Sequence, residues 1–129
     1  MEPMHREAMG IVVAKVRISS ADRFRARELE LIVDPGSTLT WVAAEVLEGL
    51  GHQPVGKQRF RTVDGSTVER PVGDAPVECE GQRGFVGVVF AGPGDASVLG
   101  VTALERLGLE VNPSTGTLRK IDAYLALAT

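Results

Sequence analysis

Glycine and proline interrupt this chain at short intervals along its whole length. Its 129 residues include 15 Gly and 7 Pro, which are spread out rather than gathered in one tract. Between them lie short runs rich in Val, Ile and Leu, such as "GIVVAKVRIS" and "GFVGVVFAG". Turns at this spacing leave room for short strands and short helices only. The pattern therefore predicts a mostly β fold that closes into a small barrel, with one or two short helices.

Length and composition predict a single domain with an aliphatic core. A chain of 129 residues is long enough for one domain and too short for two. Hydrophobic residues make up 43% of the chain but aromatic residues only 5%, so the core must consist mainly of Val, Leu, Ile and Ala. We expect residues 10–129 to form this domain and residues 1–9 to be a flexible N-terminus.

Charge and hydropathy argue against nucleic acid and membrane as partners. The net charge is −3, the isoelectric point is about 5.4, and no basic tract is longer than the alternating "RFRAR". No apolar run approaches the roughly 18 residues of a membrane span. The first ten residues, "MEPMHREAMG", lack the apolar core of a signal peptide. These observations predict a cytoplasmic protein.

The few potential metal ligands are scattered along the chain. Cys79 is the single cysteine, which excludes an intrachain disulfide and suggests an inert residue in a strand. His5 and His52 have no second ligand at a useful spacing, so we interpret both as surface residues. The sequence thus predicts no metal site and no cofactor.

Local patterns predict the order of the elements. Two strands form a hairpin before residue 34, and apolar residues at helical spacing predict a helix over residues 40–51. Two further strands follow in "APVECEG" and "GFVGVVFAG", joined by a turn over residues 80–84. After a brief strand in "VLG", the segment "VTALERLG" predicts a second helix. The segment "LEVNPSTGTLRKI" predicts a final hairpin.

The pair Asp64-Gly65 lies between strand-like runs in "KQRFRTVDGSTVERPVG". Such a pair predicts a hairpin with a type I′ turn, which requires positive φ at both residues. The segment "VDGST" looks like a second copy of "VDPGST", but it lacks the residue between Asp and Gly. We therefore interpret Asp64 as a turn residue.

One stretch, "LELIVDPGSTLTWV" at residues 29–42, carries an acid out of an apolar run and onto a tight turn. Asp34 is followed at once by Pro35, Gly36, Ser37 and Thr38. A carboxylate in this place has two interpretations. It is either a turn former that binds nearby backbone or a reactive group held at the mouth of a sheet. The residues alone leave both open.

The segment "LIVDPGST" resembles the catalytic turn of aspartic proteases. Some way on, "SVLGVTALERLGL", which contains Leu99 and Gly100, resembles the second active-site loop and helix of the single-lobe, retroviral-type members. The segment between them, with Val63, Asp64 and Gly65 at its tip, lies where this retropepsin-like family has its mobile flap. The segment "LEVNPSTGTLRKI" is similar to the tail of the prokaryotic members. The resemblance implies an acid-protease-type barrel with one lobe per chain.

The resemblance further implies an aspartic endopeptidase. Water would be activated between two Asp34 carboxylates, one from each subunit of a homodimer, because two carboxylates so close cannot both ionise. The implied partners are a peptide or protein substrate and a second copy of the chain. Gly36 would let the backbone turn close to the carboxylate. Ser37 corresponds to a position whose hydroxyl binds the catalytic Asp in pepsin-like relatives.

Pro35 departs from the family pattern, which has a Thr whose hydroxyl and N–H lock the two catalytic loops together. Proline has neither group. Two other interpretations therefore stay open. One is a catalytically weak or inactive dimeric β-barrel that binds peptide or protein in the same groove, and the other is a plain β domain. We expect residues 10–16 and 117–129 to supply the sheet shared by the two subunits.

Overall fold

A computed structural model describes residues 11–122. The predictions for residues 1–9, for His5 and for the tail 123–129 of the expected dimer strand lie outside the described residues. Within them, the chain forms the following nine strands: β1 (Val13–Ser19), β2 (Ala26–Val33), β3 (Thr40–Ala43), β4 (Gly56–Arg61), β5 (Thr67–Cys79), β6 (Gln82–Ala91), β7 (Val98–Leu99), β8 (Leu109–Asn112) and β9 (Thr117–Lys120). The two helices are α1 (Ala44–Gly49) and α2 (Val101–Leu107).

Seven of these strands form one sheet, in the order β1-β2-β7-β3-β6-β5-β4. The first strand of this order, β1, also pairs with β5, so six strands close on themselves and β4 extends beyond the ring. The strands β8 and β9 form a separate hairpin. The prediction of a mostly β barrel with one or two short helices is confirmed. None of the helices in residues 11–122 is long and apolar enough to cross a membrane.

The inner face of the barrel is aliphatic, as the composition predicts. In β1, Ala14, Val16 and Ile18 are buried while Lys15 and Arg17 on the alternate face are exposed. This alternation is that of a strand with one face toward the core. The hairpin with β2 is present in the predicted order.

Cys79 is buried at the end of β5. Burial raises the pKa of its thiol to about 11. The reactive thiolate is therefore scarce at neutral pH, in agreement with the prediction of an inert residue.

The predicted helix over residues 40–51 is wrong for its first four residues. These form β3, which pairs in parallel with β6 and places Val42 in the core. Pairing with a distant strand overrides the helical spacing, because Thr40 and Val42 are β-branched and suit a pleated, buried surface. The helix α1 begins only at Ala44.

The hairpins differ from the prediction in two details. The second half of the flap-like segment continues without a break into "APVEC", and together they form one strand, β5, of 13 residues. The type I′ turn lies at Glu80-Gly81, where φ is 51° and 78°, rather than at Asp64-Gly65, where Gly65 alone has a positive φ of 91°. The predicted turn over residues 80–84 is therefore shorter, and β6 starts at Gln82.

The C-terminal predictions agree with the structure. The helix α2 ends at Gly108, whose φ of 69° is the left-handed conformation that glycine adopts readily. The hairpin of β8 and β9 follows, and Gly116 N–H donates to the carbonyl of Asn112 over 2.8 Å across its turn.

Candidate active site

Asp34 lies on a tight turn directly after β2, with an exposed side chain. Ser37 N–H donates to the Asp34 carbonyl over 3.0 Å and closes a β-turn with Pro35 and Gly36 at its centre. Proline suits the first central position because its ring presets φ. Gly36 N–H donates to Asp34 Oδ1 over 3.0 Å, so the carboxylate is oriented by its own turn.

Gly36 also permits the close approach of backbone and carboxylate. A Cβ at this position would lie 3.2 Å from Asp34 Oδ1, which is tighter than an ordinary contact.

The strand β7 lies between β2 and β3 and supports the turn from behind. It runs parallel to β2, with Val33 opposite Leu99, and antiparallel to β3. Asp34 N–H donates to the Leu99 carbonyl over 2.9 Å. At the start of α2, Val101 N–H donates to the Ser37 carbonyl over 2.7 Å. These bonds fix the turn to the second loop.

Gly100 is the point of closest contact between the two loops. A Cβ there would lie 2.3 Å from the carbonyl oxygen of Leu39 and 2.8 Å from that of Ser37. Gly100 N–H donates to Thr40 Oγ1 over 3.0 Å, and Thr40 is fully buried. Thr102 completes the junction, since its hydroxyl donates to the Thr38 carbonyl over 2.6 Å.

A groove of about 630 Å³ opens in front of Asp34. One wall is the turn and β3, and the facing wall is the β4–β5 hairpin, which is the candidate flap. The loop between β6 and β7 closes one side. Side chains that line it include Asp34, Trp41, Phe60, Val63, Val68 and Asp95. The ring centroids of Trp41 and Phe60 are 4.9 Å apart, with an interplanar angle of 61°. This edge-to-face contact joins the hairpin to β3, which we call the floor of the groove.

The tip of the β4–β5 hairpin is a compact loop built around Asp64. Thr62 N–H donates to the Ser66 carbonyl over 2.8 Å, and Gly65 N–H donates to the Thr62 carbonyl over 3.0 Å. The Asp64 carboxylate accepts the Thr62 hydroxyl, and it accepts the backbone N–H of Ser66 over 3.1 Å. These hydrogen bonds lower the pKa of Asp64 to about 2, the one from Thr62 most of all. Val63 is fully exposed at the tip.

The structure brings most of the sequence-predicted site residues to one place. The residues Gly36, Ser37, Thr38 and Val63 line the same groove as Asp34. Leu99 and Gly100 lie buried behind the turn, Pro35 is exposed on it, and Asp64 and Gly65 lie at the hairpin tip.

The expected hydrogen bond from Ser37 to Asp34 is wrong for this chain. The Ser37 hydroxyl donates to the Leu39 carbonyl over 2.8 Å instead. The Ser37 backbone is also held, since its carbonyl accepts Val101 N–H.

Three functional groups were not found from the sequence. Thr40, the Trp41–Phe60 pair and the Arg70–Asp95 ion pair each depend on segments distant along the chain. Only the scarcity of aromatic residues could have drawn attention to Trp41, the chain's single Trp.

No three of the His, Cys, Asp and Glu residues in the described part of the chain are grouped to hold a metal ion. His52, interpreted from the sequence as a surface residue, is partly buried. Its Nε2 forms a 2.7 Å hydrogen bond with the Ser19 carbonyl, which ties the loop after α1 to β1.

Comparison with solved structures finds many similar chains. The chain is similar to the solution structure of the simian foamy virus (mac) protease, with 19% sequence identity and a TM-score of 0.52 over 72% of this chain and 91% of that chain. At this identity the likeness shows a retroviral-protease fold. No protein-family model matches the chain. No curated protein matches it either.

The junction at Gly100 predicts a large loss of stability in Gly100→Ala. The added methyl group would meet backbone atoms that cannot move aside, so we expect the free energy of unfolding to fall by about 3 kcal/mol. Gly49→Ala is the matched control, because a Cβ there meets nothing within 4 Å and alanine favours a helix by roughly 0.5–1 kcal/mol. Urea denaturation of both variants would measure the difference, and equal stability would contradict the steric argument.

The Asp64 loop predicts an acid-sensitive hairpin tip. Because the folded pKa of Asp64 is lowered from 3.8 to about 2, the carboxylate supports the loop fully above pH 4 and loses this role as the pH falls through 2. Carboxyl-carbon NMR should give a midpoint near 2. The substitution Thr62→Val removes the hydroxyl that lowers the Asp64 pKa most, so the titration midpoint of Asp64 should move up toward 3.8. A wild-type midpoint at 3.8 would show that the loop bonds do not form in solution.

Proposed function

We propose that the protein is an aspartic peptidase of the retropepsin-like type, active as a homodimer in the cytoplasm. The observation that carries the proposal is the position of Asp34. Its carboxylate is exposed in a groove large enough for an extended peptide, and a two-stranded hairpin faces it across that groove. The chain shares its fold with a viral protease, and because one fold can serve many functions, the residues of the site carry the proposal.

The chemistry of such a site requires a second carboxylate. A single carboxylate cannot both take a proton from water and donate one to the scissile carbonyl. Two that share one proton can, because their mutual repulsion separates the two pKa values. In the described chain, Asp34 is the one Asp on this turn, so a second copy related by a two-fold axis is the proposed source.

An exposed apolar strip beside Asp34 supports a subunit interface at this place. Ile32, the second residue before Asp34, is 45% exposed, and its pairing partner Val13 is 53% exposed. Ile11, at the start of the described chain, is 56% exposed. A second copy that brings its own Asp34 toward this one would cover part of the strip and remove its apolar surface from water.

In the proposed mechanism, one Asp34 carboxylate is ionised and accepts a proton from the bound water. Its protonated counterpart donates to the peptide carbonyl as the water attacks. Gly36 N–H holds Oδ1 and leaves Oδ2 to the water. The β4–β5 hairpin acts as the flap, and a bound peptide would cover the exposed Val63 at its tip.

A second candidate function is peptide binding without catalysis. Pro35 favours it, because a proline cannot tie two catalytic loops together through N–H and hydroxyl groups. The hydrogen bond from Gly36 to Asp34 also favours it, since this is the bond of a turn-forming Asp.

The substitution Asp34→Asn separates the two candidates. Asn keeps an oxygen that accepts Gly36 N–H, so fold and turn should persist, while peptide cleavage should fall at least 1,000-fold because the base is gone. Mass spectrometry of a mixed peptide library at pH 3 to 7 would measure cleavage, and sedimentation would follow the dimer. Wild-type protein that cleaves no peptide at any of these pH values would leave peptide binding as the better proposal.

The substitution Pro35→Thr tests the role of the turn in the dimer. Threonine restores a hydroxyl and an N–H, so we expect a tighter dimer by on the order of 1 kcal/mol per hydrogen bond made. Loss of the proline also makes the unfolded chain freer, which offsets part of the gain in stability. Dimer dissociation constants from sedimentation would report the change. A looser dimer would argue that Pro35 itself contributes to the interface.

A further inference from the structure

One ion pair among the described residues joins two walls of the groove. Arg70 lies on β5 opposite Gln58 of β4, and Asp95 lies in the loop between β6 and β7. Arg70 Nε donates to Asp95 Oδ2 over 2.7 Å, and Nη2 donates to Oδ1 over 3.0 Å. This is the bidentate arrangement in which a guanidinium and a carboxylate fix each other's orientation.

Asp95 is held in place by its own loop. Gly92 N–H donates to Asp95 Oδ2 over 2.7 Å, and Asp95 N–H donates to the Gly92 carbonyl over 3.1 Å. The loop runs directly into β7, whose Leu99 carbonyl accepts Asp34 N–H. Arg70 therefore connects the hairpin to the same strand that supports the candidate catalytic residue.

The geometry sets this pair apart from the other ion pairs in residues 11–122. The Arg17–Glu28 contact is a single one of 3.7 Å between side chains that are 52% and 80% exposed. Arg119–Glu110 is also a single contact, between half-exposed side chains. Arg70 and Asp95 are only 26% and 17% exposed, so water screens their attraction less.

The hairpin has a second attachment nearer to its tip. Phe60 of β4 packs against Trp41 on the floor, and Phe60 lies opposite Val68, two residues closer to the tip than the register of Arg70. The lower part of the hairpin is thus fixed by an ion pair, and two registers closer to the tip it is fixed by an aromatic contact. Only residues 61–67 extend beyond both.

We infer that Arg70 is a positioning residue, which acts through Asp95 to set the height of the β4–β5 hairpin above the groove. With the base fixed, the opening that admits a ligand is confined to the segment beyond Phe60 and Val68. That the ligand is a peptide substrate rests on the proposed function. The positioning itself does not.

The substitution Arg70→Met tests the inference through the fluorescence of Trp41. It removes the guanidinium and keeps an unbranched apolar side chain, so the hairpin base loses its link to the β6–β7 loop. Phe60 should then move away from Trp41 more often. Since Trp41 is the chain's single Trp, acrylamide quenching reports this directly, and we expect its rate constant to rise about twofold.

The chain supplies a matched control in Arg119→Met. This variant breaks an ion pair in the β8–β9 hairpin, away from the residues that line the groove, and should leave the quenching of Trp41 unchanged. If Arg70→Met does not fold, the substitution Asp95→Asn replaces it as the test, because it keeps the side-chain size and the acceptor for Gly92 N–H. The acrylamide quenching of Trp41 in that variant then tests the inference. Quenching that is unchanged, or raised equally in the Arg119 control, would overturn the inference.

Peptide cleavage gives a second and separable measurement. A looser hairpin binds the substrate less well without altering the reacting groups, so KM should rise on the order of tenfold while kcat changes by less than about threefold. An equal fall in kcat and kcat/KM would overturn the positioning role. If the wild-type protein cleaves nothing, the proposed function fails, and the quenching comparison still decides the role of Arg70.

Discussion

The arrangement of the whole site depends on a backbone contact that has no room for a side chain. At Gly100 the chain passes so close to the carbonyls of Ser37 and Leu39 that a single methyl group would overlap them. This closeness lets β7 enter between β2 and β3, and it lets Leu99 accept the N–H of Asp34. Gly100 carries no reactive side chain, yet through the neighbouring Leu99 it determines the position of the Asp34 carboxylate.

Features determined by neighbouring residues were predictable from the sequence. Gly108 ends α2 because a left-handed residue follows a helix readily, and the Asp34 turn forms where an apolar run meets Pro and Gly. The prediction failed where distant segments decide the outcome. Residues 40–43 have helical spacing but pair with β6. The miss at Asp64 has a local cause instead, since Thr62 and Ser66 bind its carboxylate and form a larger loop than a type I′ turn.

The residues of the candidate site also fall into those that local motifs could locate and those that they could not. Asp34 and the hairpin tip could be located from local motifs, and the structure places both at one groove. The contacts that shape the groove could not be located. Arg70 and Asp95 are 25 residues apart, and a single sequence does not indicate which of its many charged residues will meet. The Ser37 hydroxyl bonds to the Leu39 carbonyl two residues on, a local alternative to Asp34 that the family pattern does not indicate.

The separation of the two loops along the chain has a consequence for the order of folding. Gly100 bonds to a residue 60 positions earlier, and Thr102 to one 64 positions earlier. Closing such long loops is slow compared with forming hairpins, and a growing chain cannot close them until β7 has been synthesised. The hairpins of β1–β2 and β4–β5 can form beforehand from local contacts. The turn that carries Asp34 therefore gains its support among the last steps, so a nascent chain lacks the assembled site while it is still being made.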